Sequence, residues 1–206
     1  MPSFRFEELA DAHLIRDAIY EGGPTQDVRY DPIPVLLKGG NVAGFRKKNH
    51  YAVLYTSGVE PNWPDRYDAV TKRFVYHGDR RNAEGDLHSK PGNKFLEAQY
   101  QFYASAQREQ LLPTFIFKKA KSITPRAVQL LGLAAFGAAQ VPASDVLSTY
   151  WCNVDGTQFL NYRVVYTILD EVFISRAWIN DLLSGLVLTA NTPKSYRTFV
   201  ETGVYN

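Results

Sequence analysis

Three short stretches decide how this chain is read: YAVLYTSG at 51–58, NWPD at 62–65 and RFVYHGDRR at 73–81. Tyr51 to Ser57 alternates aromatic and aliphatic side chains, which predicts a strand ending in the Gly58 turn. Gly58 to Asp68 contains two prolines and predicts a loop. Arg73 to Tyr76 predicts a second strand, with Phe74 and Tyr76 two residues apart and so on one face. Gly78 to Gly92 is a long polar loop, and its length points to a function beyond connecting two elements.

Outward from this centre the chain alternates between the two regular periods. Glu7 to Tyr20 reads as an amphipathic helix with Leu9, Ala10, Leu14 and Ala18 on one face, stopped by Gly22-Gly23-Pro24. Asn93 to Gln107 reads as a helix. Thr114 to Phe117, Ala127 to Leu133 and the β-branched and aromatic run Phe159 to Leu169 read as strands. Ser175 to Leu183 reads as a helix stopped by Gly185, and the polar tail from Leu188 as an extension. The expected class is α+β, mostly strand, with one domain over 1–187 and a C-terminal extension or linker over 188–206.

Composition narrows the function classes. With 45% hydrophobic and 21% charged residues the chain buries a proper core and is not a disordered tail. A formal net charge of +2 means that any nucleic-acid contact must concentrate positive charge on one face. Cys152 is the one cysteine, so no internal disulfide forms, and a reducing, cytoplasmic compartment is expected. No run of 18 apolar residues occurs; Val128 to Val141 is broken by Gly132, Gly137 and Gln140, and no membrane contact is expected.

Catalytic patterns are missing too. No lysine has an acidic residue two positions before it, the pairing that many metal-dependent nucleases place on one ion. His88-Ser89-Lys90 is a single His-x-Lys, not a pair, and the four histidines show no metal-ligand spacing. No phosphate loop, His-Glu-x-x-His or Gly-x-Ser-x-Gly occurs. No catalytic residue, metal or cofactor is expected in this chain.

The residues around 62–81 do carry parts suited to an unstacked base. Aromatic faces replace lost stacking, at about 1–3 kcal/mol per base, and a carboxylate accepts from the exocyclic amine of cytosine. Trp63, Asp65 and Tyr76 supply these parts, Val42 a small apolar surface for a methyl group, and Gly78 a backbone amide. Arg46, Lys47 and Lys48, with Arg80 and Arg81, are candidate phosphate donors, and Asp79 shares their loop. Each has a plainer reading. Trp63 beside Pro64 serves equally as a packed loop anchor, Asp65 as a turn cap, Tyr76 as a core aromatic, and Arg46-Lys47-Lys48 as a solvated turn. His77 reads as a surface residue, Trp151 and Cys152 as core, and Asn161 and Arg163 as structural, although a long strand would also carry Arg163 to DNA.

The order of these motifs resembles the SRA family, which reads 5-methylcytosine by base flipping. Val42-Ala43-Gly44, Tyr51 to Gly58, Trp63 and Asp65, Phe74-x-Tyr76-x-Gly78, and Asn93 with Leu96 follow that family's order. The chain is more similar still to the N-terminal domains of AspBHI-like modification-dependent restriction enzymes. Asp31-Pro32, Trp63-Pro64-Asp65, Tyr76-x-Gly78-Asp79-x-Arg81, Asn161-Tyr162-Arg163 and Arg176-Ala177-Trp178-Ile179 carry that likeness to about Gly185. One departure stands out: where SRA domains have Gly-Gly-Arg-Asp, this chain has Asp79-Arg80-Arg81-Asn82, so no gap-filling finger residue carries over.

The resemblance implies a curved, partly closed β-barrel with flanking helices. It implies binding of duplex DNA with 5-methylcytosine or 5-hydroxymethylcytosine, the base flipped into a pocket of Trp63, Asp65, Tyr76, Val42 and Gly78. Arg46, Lys47, Lys48, Asp79, Arg80 and Arg81 would meet the DNA backbone or groove, and a nuclease domain in the same polypeptide or a partner chain would cut. The rival readings are a reader of methyladenine or a backbone mark, a metal-free enzyme acting on nucleotides, and a protein-interaction domain.

Overall fold

Residues 1–38, 45–48, 50–122 and 124–206 are described in a computed structural model, 45 and 46 by backbone alone. The strands are β1 (Ser3–Phe4), β2 (Leu14–Ile15), β3 (Ile19–Tyr20), β4 (Phe45–Lys47), β5 (Ala52–Thr56), β6 (Arg66–Asp68), β7 (Arg73–His77), β8 (Thr114–Lys119), β9 (Val128–Phe136), β10 (Leu147–Val154), β11 (Thr157–Ile168) and β12 (Phe173–Ile174). The helices are α1 (Pro32–Leu37), α2 (Pro91–Ala104), α3 (Ala143–Val146), α4 (Arg176–Leu183) and α5 (Lys194–Thr202). None of the described helices is long and apolar enough to cross a membrane.

The chain divides into two units. The first comprises residues 1–57, 113–133 and 170–197, the second 58–112, 134–169 and 198–206, so β9 and α5 each run from one into the other. In the first unit β5 pairs antiparallel with β4 and parallel with β8, and β3 joins β9 through Ile19 opposite Gln129. Trp178 of α4 lies fully buried there, edge-on to Phe115 and against Tyr196. In the second unit β11 is the centre: it pairs antiparallel with β10, β7 and the end of β9, and β6 flanks β7. The sheet is mixed and open. Its path ends at β4 and at β6 among the described residues, so the expected partly closed barrel is corrected to an open α+β sheet.

The strands expected from 51–57, 73–76, 114–117, 127–133 and 159–169 are all present. The helix expected over Glu7–Tyr20 is not. A short 3-10 turn at Phe6–Glu8 is followed by β2 and β3, with Asp17 at φ 66 between them. The Tyr20 hydroxyl explains the compact turn: it accepts from the Ile15 amide at 2.7 Å and donates to the His13 carbonyl at 3.0 Å. Leu9, Leu14 and Ala18 are buried as their periodicity suggested, but through a turn and not a helix. The tail expected to be an extension is folded: α5 buries Tyr196 and Phe199.

Candidate nucleic-acid interface

In the second unit the polypeptide draws the 62–65 loop onto the end of β7. The Asp65 amide donates to the Trp63 carbonyl at 2.8 Å, which keeps the turn tight. Trp63 is 9% exposed and packs with Cys152 and Phe159. Its indole Nε1 donates to the Arg80 carbonyl at 3.1 Å, tying this loop to the next one. The Arg81 guanidinium lies 4.0 Å from the centre of the Trp63 ring, a cation–π contact on the outer face. Trp63 therefore anchors its loop and presents one face through Arg81. Trp151, expected in the core, is 65% exposed, because the alternation of β10 buries its neighbour Cys152 instead.

Asp65 meets a residue that the sequence reading assigned to the surface. His77 is 5% exposed, covered by the Asp65 loop and by the Tyr150 ring, whose centre lies 4.7 Å away nearly edge-on. The His77 amide donates to Asp65 Oδ1 at 2.8 Å, and His77 Nδ1 lies 3.1 Å from the same oxygen. Both contacts use Oδ1, and no described residue engages Oδ2. The other two nearby carboxylates are fully committed. Asp68 accepts from the Val70 and Thr71 amides and the Thr71 hydroxyl. Asp79 accepts from the amides of Gly92 at 2.8 Å and Asn93 at 3.0 Å, capping the start of α2 from the β7 side.

Tyr76 is 3% exposed and stacks on Phe74, their ring centres 6.4 Å apart. Burial pushes its phenol well above the ordinary range, Asp65 and Asp79 push it further, and Arg81 opposes them. These four groups thus stand within electrostatic reach of one another. Alternation along β7 nevertheless sends Tyr76 to the side opposite His77. The structure does not bring Trp63 and Tyr76 together as two faces of one slot: Trp63 packs on Cys152 and Phe159, Tyr76 on Phe74.

Beyond β7 the loop is built around glycine and asparagine. A Cβ on Gly78 would fall 1.9 Å from Asn93 Oδ1 and 2.6 Å from Asn161 Oδ1. Asn161 Nδ2 donates to the carbonyls of Gly78 at 3.0 Å and Arg80 at 3.1 Å, and Asn93 Nδ2 donates to Asn161 Oδ1 at 3.0 Å. Arg80 is buried. Its guanidinium donates to the carbonyls of Leu160 at 3.0 Å, Ala83 at 2.9 Å and Gly85 at 2.6 Å, so it pins the loop from inside, whereas Arg81 is exposed.

The two arginines should therefore separate on mutation. Arg80→Ala is expected to lower stability by about 2–4 kcal/mol in urea unfolding, because it strips buried carbonyls of their donor. Arg81→Ala is expected to leave stability within about 1 kcal/mol and to reduce the salt slope of DNA binding by roughly 0.9. Equal effects on both measurements would sink the division of roles.

Of the remaining expected residues, Val42 lies outside the described residues, and Arg46 is placed only as backbone in β4. Lys47 and Lys48 are exposed and belong to the first unit, whereas the residues from Trp63 to Arg81 belong to the second. Among the described residues no group of three or more His, Cys, Asp or Glu is placed to hold a metal ion. Sequence reasoning missed His77, whose burial needed the partner Asp65, and the Asn93–Asn161 pair, which are 68 residues apart in the chain.

Comparison with known proteins fits this arrangement. Residues 14–206 match the family model described as restriction endonuclease AspBHI N-terminal. The solved DNA modification-dependent restriction endonuclease AspBHI is 30% identical and superposes with a TM-score of 0.91, covering 99% of this chain and 97% of that one. The DNA recognition domain of the cytosine modification-dependent restriction endonuclease LpnPI is 32% identical with a TM-score of 0.90, covering 100% and 95%. The MspJI restriction endonuclease, solved with a 27-mer oligonucleotide, shares the fold at 16% identity and a TM-score of 0.67, covering 91% of this chain and 51% of that one. No curated protein matches the chain.

Proposed function

This chain belongs to the AspBHI N-terminal family of restriction endonucleases, and from that premise we propose that it recognises duplex DNA carrying a modified cytosine, extruding the base toward the end of β7. It targets a nuclease carried in the same polypeptide or by a partner chain. The observation that carries the chemistry is Asp65, a nearly buried carboxylate fixed through Oδ1 by His77 with Oδ2 unspent. A fixed acceptor of this kind suits the exocyclic amine of cytosine, a donor that loses its base-pair acceptor when it leaves the duplex. Tyr76, on the other face of β7, is the aromatic ring this reading assigns to the extruded base, and Gly78 lets the loop backbone close on Asn93 and Asn161. In the second unit Arg81 supplies an exposed phosphate donor, while Arg80 and Asp79 act through the loop and helix they hold; in the first unit Lys47 and Lys48 are exposed phosphate donors of their own. The likeness to the recognition domain of LpnPI, a cytosine modification-dependent enzyme, favours that base over methyladenine or a backbone mark, and this reading asks nothing catalytic of the chain.

Base extrusion is tested with an aminopurine placed beside the modified cytosine, which brightens when its neighbour leaves the stack. Binding should raise the emission with 5-methylcytosine or 5-hydroxymethylcytosine, and much less with cytosine or methyladenine. Tyr76→Phe should preserve the rise, because stacking needs the ring and not the hydroxyl. Tyr76→Ala should cost about 3–5 kcal/mol of stability, given its burial, and remove the rise. Tight, modification-selective binding without brightening would refute extrusion, and equal binding of all four duplexes would refute the reader.

A further inference from the structure

A second surface of the same unit is unaccounted for. Along β7, Arg73, Val75 and His77 share one face; across the sheet Arg66 sits opposite Val75, and Arg163 opposite His77. Val165, paired with Val75, completes an apolar floor. Around this floor lie two adjoining depressions of about 490 and 340 Å³ that share Arg73, Val75 and Arg163. Together they make a trough across the strands, walled by three guanidinium groups. Arg73 is tethered by one bond, donating to the Ala139 carbonyl at 2.9 Å. Arg66 is exposed and Arg163 half-buried; neither guanidinium makes a hydrogen bond or close ion pair among the described residues, although Arg66 is near enough to help lower the Asp68 carboxyl. Two carboxylates also line the trough. Asp68 is spent on its own turn, with Thr71, and Asp145 accepts from the Ser144 hydroxyl.

We infer that this trough is a binding site for the DNA sugar–phosphate backbone, separate from the 79–81 loop. The inference rests on the proposed function, and two features favour nucleic acid as the occupant. Guanidinium groups match phosphate oxygens in geometry and charge, and the valine floor suits the apolar face of deoxyribose. His77, which holds Asp65, is also a wall of the trough, so a nucleotide whose base reaches Asp65 has its own backbone at the trough's edge. The three arginines lie on three different strands, so no basic run marks them in the sequence; pairing register assembles them.

The experiment compares the parent chain with Arg66→Gln combined with Arg163→Gln, measuring anisotropy of modified and unmodified duplexes between 50 and 200 mM salt. Two lost phosphate contacts reduce the salt slope by about 1.8, so over this range the variant's affinity should fall roughly twelvefold less than the parent's. Its preference for the modified duplex should be unchanged, and Arg→Lys at both positions should restore the slope. A parent that binds with a variant of unchanged slope overturns the trough alone. A parent that binds neither duplex overturns the proposed function and the trough with it. Since both side chains reach solvent, the glutamine variant should melt with the parent.

Discussion

Gly78→Ala is expected to lose about 3–5 kcal/mol of stability, seen as a fall in the urea midpoint with an unchanged slope. Backbone conformation is not the reason, since Gly78 is not among the residues at positive φ. Space is: the new methyl would stand 1.9 Å from Asn93 Oδ1, far inside contact distance. Asn93 cannot withdraw freely, because its Nδ2 is bonded to the Leu87 carbonyl at 2.7 Å and to Asn161. Moving it breaks the link through Asn161 to the Gly78 and Arg80 carbonyls, and each buried group left unpaired costs about 1–3 kcal/mol. Gly58 is the contrasting control. It has φ +71 and nothing within 4 Å of its would-be Cβ, so alanine there should cost only about 1 kcal/mol, from the backbone alone. A Gly78→Ala midpoint equal to that of Gly58→Ala would show that the asparagine network yields.

Gly78 also shows what the sequence discloses and what it withholds. That a glycine follows Phe74-x-Tyr76-x is visible in the sequence. Its reason is not, because Asn93 and Asn161 come from α2 and β11. The same division holds elsewhere. Strand positions from 51 to 56 and from 73 to 77 were legible because alternation and turn residues are local signals. The segment 7–20 was misread because Leu9, Leu14 and Ala18 happen to fit a helical face, while the deciding contact, the Tyr20 hydroxyl with the Ile15 amide, leaves no periodic trace. The exposure of Arg81 against the burial of Arg80 was likewise hidden. Two adjacent arginines in a polar loop look equivalent until Leu160 of β11 claims one of them.

Register is the level at which the candidate site becomes specific. The loop of Trp63, the carboxylate of Asp65 and the cap of Asp79 are all tied to the end of β7, each by hydrogen bonds to or beside it. A one-residue slip of β7 against β11 would exchange the faces, exposing Phe74 and Tyr76 and burying Arg73. The twelve-residue β11, paired on both sides, opposes that slip. Site geometry and fold stability therefore depend on the same strand, and variants at the site should be judged by stability and binding together.

Asp65→Asn is the variant that separates them. Asparagine keeps the size of the side chain and an oxygen able to accept from the His77 amide, so stability should stay within about 1 kcal/mol of the parent. What changes is the second position, where an amide NH2, a donor only, replaces Oδ2. In the proposed pocket, where this position would face the exocyclic amine of cytosine, that group opposes donor to donor where the carboxylate would offer an acceptor. Losing a hydrogen bond to a charged group costs about 1.5–3 kcal/mol, so the preference for modified over unmodified duplex should fall roughly 10- to 150-fold. Weak binding to both duplexes should remain with the parent's salt slope, because no phosphate contact has been touched. Asp68 and Asp79 cannot readily substitute, since both oxygens of each are already committed within the protein. An Asp65→Asn chain that melts like the parent and still discriminates fully would remove the carboxylate from the recognition chemistry. It would leave the backbone contacts as the only DNA-binding role for this end of the sheet.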